Sequence, residues 1–324
     1  LAEWLYEEGI GENRAILVED GEIVEAAIER PGLRAGAVVA GRLSRILVPA
    51  RRGLVETAGE TVLVEPLPPG VTEGARVRVE IGREPIGEPG RPKLARGRIT
   101  EAAERDGPPL VERIGRCTRL RPTDPDLLER HGWSELVEEA VTGEIAFPDG
   151  ALRMSLTPAM TLFDVDGAIE PEALAIAGAA AAGRAIRRFG IGGSIGIDLP
   201  TLASRAARQR AAAALDAVLP LPFERTAVNG FGFLQVVRRR ERESLPELLR
   251  GDPAGAAARA LLRRAARTPG AGALELVAAP AVIDLIEAEP AWIETLSRQA
   301  GATIRLRRDG GRTTWAGYVQ RVQD

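Results

Sequence analysis

The sequence has one cysteine, one histidine and one lysine in 324 residues, and each scarcity excludes a class of chemistry. A lone Cys117 forms no intrachain disulfide, and Cys117 with His131 makes neither a zinc knuckle nor a redundant Cys/His nucleophile pair. Lys93 stands outside any glycine-rich phosphate loop, so no Walker-type site is expected. No Gly-x-Ser-x-Gly elbow occurs, and the segment Gly190-Ile191-Gly192-Gly193 follows a helical pattern and precedes a strand pattern, the reverse of a dinucleotide fingerprint. No run approaches about 18 consecutive apolar residues, which predicts no transmembrane helix and no membrane partner. Residues 1–9 carry three glutamates and no basic cluster ahead of an apolar stretch. That is the wrong pattern for a signal peptide and predicts a cytoplasmic location. A net charge of -3 is far from the basic footprint of a dedicated nucleic-acid binder.

What the chain does have is an ordinary globular balance, 45% hydrophobic and 27% charged, in a length that suits two or three domains. With Lys93 as the single lysine, 42 of its 43 basic residues are arginine. Abundant Ala, Gly and Pro point to a GC-rich coding bias, so arginine number alone says little about nucleic acid. Distribution says more. Residues 1–30 and 122–150 each carry a net -7, whereas residues 91–121 and 237–268 each carry +5. Such segregation allows a phosphate-binding surface on a mildly acidic protein, and it equally suits solvated helical faces.

Two apolar-rich runs at 14–19 and 22–29 joined by Asp20-Gly21 predict a hairpin. Strand-like runs at 37–48, 53–57, 61–67 and 75–81, resuming at 93–99 after a Pro/Gly-rich loop, predict a small antiparallel barrel or meander. Apolar spacing predicts a helix over 124–141. A strand over 160–163 runs into Asp164, an alanine-rich helix follows over 171–188, and a second strand over 194–197 runs into Asp198. A helix over 202–219 and a strand over 231–237 complete a β-α-β-α-β series with a mixed or parallel sheet. Residues 255–324 read as a separate small α/β unit.

A parallel strand, helix, strand unit brings equivalent strand ends to one sheet edge, so Asp164 and Asp198 are expected together there. Two converging carboxylates suit a hard divalent cation. Magnesium takes one or two carboxylates with waters and a substrate phosphate, and such an ion acidifies a bound water and polarises a phosphoryl oxygen. Asp166 can add a ligand or an outer contact. The alternative is that both aspartates cap the helices that follow them.

At these residues the sequence resembles the ribonuclease E/G family. Phe163-Asp164-Val165-Asp166-Gly167, the alanine-rich helix, and Gly192-Gly193-Ser194-Ile195-Gly196-Ile197-Asp198-Leu199 are similar to that family's metal-binding strand, helix and Gly-Gly strand. The stretch 231–245 resembles its Gly-Leu-x-Glu strand and Ser-Leu follow-on, and residues 14–21 and 41–46 its opening hairpin and first barrel strand. The resemblance implies an α+β or α/β multidomain chain. Residues 1–121 would be β-rich with an inserted OB-type RNA-binding barrel at about 36–93, residues 122–245 a nuclease subdomain of the DNase I type, and residues 255–324 a small C-terminal domain. It further implies an Mg²⁺-dependent endoribonuclease acting on single-stranded RNA in processing or decay, with Asp164 and Asp198 catalytic and metal-binding and Asp166 a third metal contact. Cleavage would leave a 3′-hydroxyl and a 5′-phosphate.

The departures are specific. Leu54 and Pro89 stand where an aromatic platform and a basic RNA contact are expected, Asp166 replaces an asparagine, and Leu174-Ala175 replaces a polar Thr-Asn pair. The paired cysteines of the family's zinc link are missing around 247–255, so any homo-oligomer forms without them. The stretch that senses an RNA 5′ end is deleted between residues 98 and 144. With stacking at Leu54 removed, RNA contacts are expected from Arg91, Lys93, Arg96 and Arg98 and from Arg238, Arg239 and Arg240. An RNA-binding or RNase-regulating module with reduced or lost catalysis is the competing reading. A sugar-phosphate or nucleotide hydrolase using the same metal site is a third.

Overall fold

A computed structural model describes residues 2–87 and 92–323, a mixed α+β architecture of three sheets and a closed barrel. The chain opens with β1 (Glu3–Glu8), β2 (Asn13–Glu19) and β3 (Glu22–Glu29), an antiparallel meander. The predicted hairpin turn is present, with Asp20 and Gly21 both at positive φ (52° and 89°), as a two-residue turn matched to strand twist requires.

The barrel follows. β4 (Val38–Val48), β5 (Arg52–Glu56), β6 (Thr61–Val64), β7 (Arg76–Arg83) and β8 (Ala95–Thr100) close in the order β4-β5-β6-β8-β7. Alternation along each strand sends Leu43, Val55, Val62, Val64, Val79 and Ile81 inward. A one-turn α1 (Leu110–Arg113) then returns the chain to β9 (Thr118–Leu120), parallel to β1 at the edge of the first sheet.

The helix expected over 124–141 is two helices, α2 (Leu127–Arg130) and α3 (Trp133–Thr142), because Gly132 at φ 92° breaks the ladder between them. Two further strands, β10 (Glu144–Phe147) and β11 (Gly150–Leu156), form a hairpin around Asp149 that apolar periodicity did not disclose. β12 (Thr161–Gly167) pairs along its whole length with β11. Then come α4 (Pro171–Arg188), β13 (Gly193–Asp198), α5 (Arg205–Asp216), β14 (Glu224–Arg225) and β15 (Phe233–Arg238), giving a six-stranded mixed sheet β10-β11-β12-β13-β15-β14. One face of that sheet, with Phe163, Val165, Ile195, Ile197 and Leu234, shares the largest core with α3, α4, α5 and the first sheet.

The last part comprises α6 (Leu245–Gly251), α7 (Pro253–Arg267), β16 (Ala273–Ala278), α8 (Pro280–Glu287), α9 (Pro290–Ala300), β17 (Ile304–Arg308) and β18 (Tyr318–Val322). β17, β16 and β18 form a three-stranded sheet whose apolar side packs on α7, α8 and α9. The sequence suggests a strand over 313–319 after the turn Asp309-Gly310-Gly311, and the final strand starts five residues later. No helix among the described residues is long and apolar enough to cross a membrane.

A buried ion network ties α7 to the first sheet. Glu7, 3% exposed, accepts from Arg14 (3.2 Å), Arg263 (2.7 Å) and Arg267. Arg14, 1% exposed, also reaches Glu12 at 2.9 Å, and Arg263 also reaches Asp126. Burial opposes the Arg263 charge, but Glu7 and Asp126 outweigh it and hold the guanidinium above its usual pKa. Removing one partner of a buried network strands the others. Glu7→Ala is therefore expected to lower unfolding free energy by about 3 kcal/mol in urea titrations followed by circular dichroism. A loss below about 1 kcal/mol would show the network to be no more than a surface-grade set of pairs.

Candidate metal centre

The site is built by the β12-α4-β13 unit. β12 and β13 are parallel, and their register makes Asp164 and Asp198 direct partners, the last pair of the ladder. Adjacent strands lie about 4.8 Å apart and directly paired residues share a face, so the two carboxylates stand side by side. The expected juxtaposition at one edge is observed. One detail is corrected: Asp164 is not at a strand end, since β12 continues to Gly167 on the support of β11 after β13 has stopped.

Their face is the open side of the sheet. Phe163, Val165 and Ile197 point into the core, and alternation puts Leu162, Asp164, Asp166, Gly196 and Asp198 on the other side. Helix capping does not occupy the aspartates. Glu170 caps α4 by accepting from Glu172 and Ala173 N–H groups, and Ser204 caps α5 by accepting from Ala207 N–H. Nor do arginines. Among the described residues neither the Asp164 nor the Asp198 carboxylate receives a hydrogen bond or an ion pair. Arg153, opposite Asp164 in the β11–β12 register, turns its guanidinium to Asp166 at 3.2 Å and Glu144 at 3.7 Å.

The residues fit a magnesium-type ion held on two hard oxygens with water completing its shell. They do not fit an all-protein cage, because no group of three or more His, Cys, Asp or Glu side chains among the described residues is arranged to hold a metal. Asp166 is exposed, one pleat beyond Asp164 and engaged by Arg153, so it is not brought into the pair.

At the opposite end of β13, about 16 Å along the strand, an open groove of about 970 Å³ separates β7 and β8 of the barrel from β13 and β15. Five of the expected RNA contacts, Arg96, Arg98, Arg238, Arg239 and Arg240, line it together, joined by Arg83, Arg113 and Arg242. Arg91 and Pro89 lie outside the described residues. Lys93 donates to the Pro158 carbonyl at 3.3 Å, bridging barrel and sheet beside the groove. Several of the guanidiniums already have carboxylate partners: Arg96 meets Glu65, Arg98 meets Glu80 at 2.6 Å, and Arg240 meets Glu247. Burial lowers the pKa of Arg238, and burial together with nearby Arg242 lowers that of Arg113. Leu54 lies half-buried on β5.

Sequence patterning missed a feature of the aspartate edge. β15 enters the sheet through a tight loop in which Asn229 Oδ1 accepts from Phe231 N–H (2.9 Å) and Phe233 N–H (3.0 Å). Phe233 is the strand partner of Asp198. The Asn229-Gly230 turn was legible in the sequence, and the Phe at its tip was not marked out because apolar residues in a strand pattern are read as core.

No protein-family model matches the chain, and no curated protein matches it in sequence.

Two paired carboxylates without a counter-charge repel. In EDTA, Asp198→Asn is expected to be more stable than the parent by about 0.5 kcal/mol, and Mg²⁺ is expected to raise the melting temperature of the parent but not of the variant. Differential scanning calorimetry checks both. A variant less stable than the parent in EDTA, or one that responds equally to Mg²⁺, would contradict the assignment.

Proposed function

We propose that this chain is a cytoplasmic, magnesium-dependent endoribonuclease that cleaves single-stranded RNA in processing or decay, after the pattern of the ribonuclease E/G family that its sequence resembles. The observation that carries the reading is the Asp164–Asp198 register, two unpaired carboxylates on an open sheet face in an arginine-rich chain. In this reading the closed five-stranded barrel is the OB-type RNA-binding element and the six-stranded sheet is the core of a nuclease subdomain of the DNase I type.

Magnesium bound there supplies charge neutralisation at the phosphodiester and a more acidic bound water. The protein's own part is positional. Asp164 and Asp198 provide two hard oxygens held rigidly by neighbouring strands. The groove arginines hold backbone phosphates, and Arg239 and Arg240 follow directly on β15, whose first residue flanks Asp198, whereas Arg238, the last residue of that strand, shares the covered face with Leu234. Phosphates fixed in the groove thereby place the chain along the open sheet face, where a phosphodiester reaches the aspartate pair.

One observation favours a binding module without cleavage. Leu174 and Ala175, where the family has a polar pair, are buried in the core beneath the sheet and offer nothing to a substrate.

Incubating the purified chain with end-labelled single-stranded RNA separates the readings. Cleavage is expected in Mg²⁺, absent in EDTA, and reduced to background by Asp164→Asn and by Asp198→Asn, each with an unchanged circular dichroism spectrum. Binding without cleavage in Mg²⁺ would favour the binding module. A double Asn variant that cleaves as fast as the parent would place the activity elsewhere.

A further inference from the structure

Phe231 is 83% exposed, and it is the one aromatic among the exposed large apolar side chains of the described residues. Exposure of this kind usually belongs to a mobile tip. Here the backbone is fixed from four directions. Asn229 Oδ1 accepts from the N–H groups on either side of Gly232, and Gly232 N–H donates to Asn229 O at 3.3 Å. Leu199 N–H donates to Gly232 O at 3.2 Å, and Thr201 Oγ donates to Phe231 O at 3.3 Å. Gly232 has φ 95°, and a Cβ there would lie 2.1 Å from Leu199 O, so only glycine allows the loop to press against the residue that follows Asp198.

The loop is therefore locked to the aspartate edge and holds an aromatic ring out into solvent. Beside it, Phe233 is the strand partner of Asp198, and its ring lies over Gly196, where a Cβ would come within 2.7 Å of Phe233 Cζ. A solvated ring on a fixed backbone, next to a candidate phosphodiester site and on the same sheet as an arginine groove, has the parts of a single-strand platform: a π-face for a base and guanidiniums for the backbone.

We infer that Phe231 is a base-stacking residue, which positions an unpaired nucleobase of single-stranded RNA next to the Asp164–Asp198 pair. The inference rests on the endoribonuclease reading, and names the contact that replaces the aromatic platform missing at Leu54. It makes Phe231 a positioning residue, acting on the base while the aspartates act at the phosphate.

The test measures binding of the 324-residue chain in EDTA, where no cleavage occurs, to a fluorescein-labelled decauridylate and, by competition, to inorganic polyphosphate, a polyanion without bases. Phe231→Ala and Phe231→Leu are each expected to weaken RNA binding about tenfold while leaving polyphosphate binding unchanged. Phe231→Trp is expected to bind RNA like the parent, with its added indole emission quenched on binding. The side chain is exposed, so none of these variants disturbs the core, and melting temperatures are expected to match the parent. If the Ala and Leu variants bind RNA like the parent, the platform is overturned while the endoribonuclease reading stands. Equal loss for RNA and polyphosphate would assign Phe231 to the fold or the charge field and overturn the platform too. Dissociation of a dimer by Phe231→Ala with unchanged RNA affinity would give the ring to a second copy of the chain. A parent that binds no RNA would remove both readings.

Discussion

The arrangement of the site depends on one constraint, the parallel pairing of β12 with β13 across α4. A crossover helix must lie close on the sheet to bring the second strand back beside the first, and α4 is made for close approach. Ala175, Ala179 and Ala182 are fully buried on its sheet side, and Gly178 sits so near Val165 that a Cβ would come within 2.4 Å of a valine methyl. A larger residue there would lift the helix from the sheet, weakening the packing that sets the β12–β13 register. A slip of one residue would turn one aspartate toward the core. The alanine-rich composition, which coding bias alone could produce, thus has a mechanical consequence at this helix.

The same sheet has two unlike sides. Its covered side shares a core with α3, α4, α5 and the first sheet, and the Glu7 network pins α7 to that first sheet from behind. Its other side is left open, with the barrel beside the Gly193 end of β13 and the tail of β15. Hydrogen bonds hold the barrel there: Glu84 N–H donates to Glu241 O at 2.7 Å and the Lys93 side chain donates to Pro158 O. The result is a charged groove and a carboxylate pair at opposite ends of one strand, facing solvent along the length between them. A rigid sheet sets their separation, so the groove can orient what reaches the aspartates without touching them.

The parts legible in the sequence were those in which local chemistry determines local structure. Asp20-Gly21 specified a hairpin, Pro171 opened α4 where a first-turn proline belongs, and Asp198 closed its strand. The juxtaposition of the aspartates followed from the handedness of a β-α-β unit, a rule of chain geometry rather than of any residue. What escaped depends on tertiary partners. β10 has only four residues, and the pattern of β10 and β11 becomes a sheet only against β12. α6 was hidden by its proline and glycine, although Ser244 and Glu247 close a capping box at its start. Asp164 looked like a strand end because the support that prolongs β12 comes from β11. The role of Arg153, which engages Asp166 and leaves Asp164 unpaired, required side-chain positions across three strands.

Whether Asp164 and Asp198 share one divalent ion is read most directly from the anomalous difference map of a crystal grown or soaked in MnCl₂. A shared ion gives a peak between the two aspartates, within about 2.2 Å of a carboxylate oxygen from each and with the remaining positions filled by water. A peak on Asp166 and Glu144 instead, or an aspartate pair bridged by no ion at saturating Mn²⁺, would contradict it.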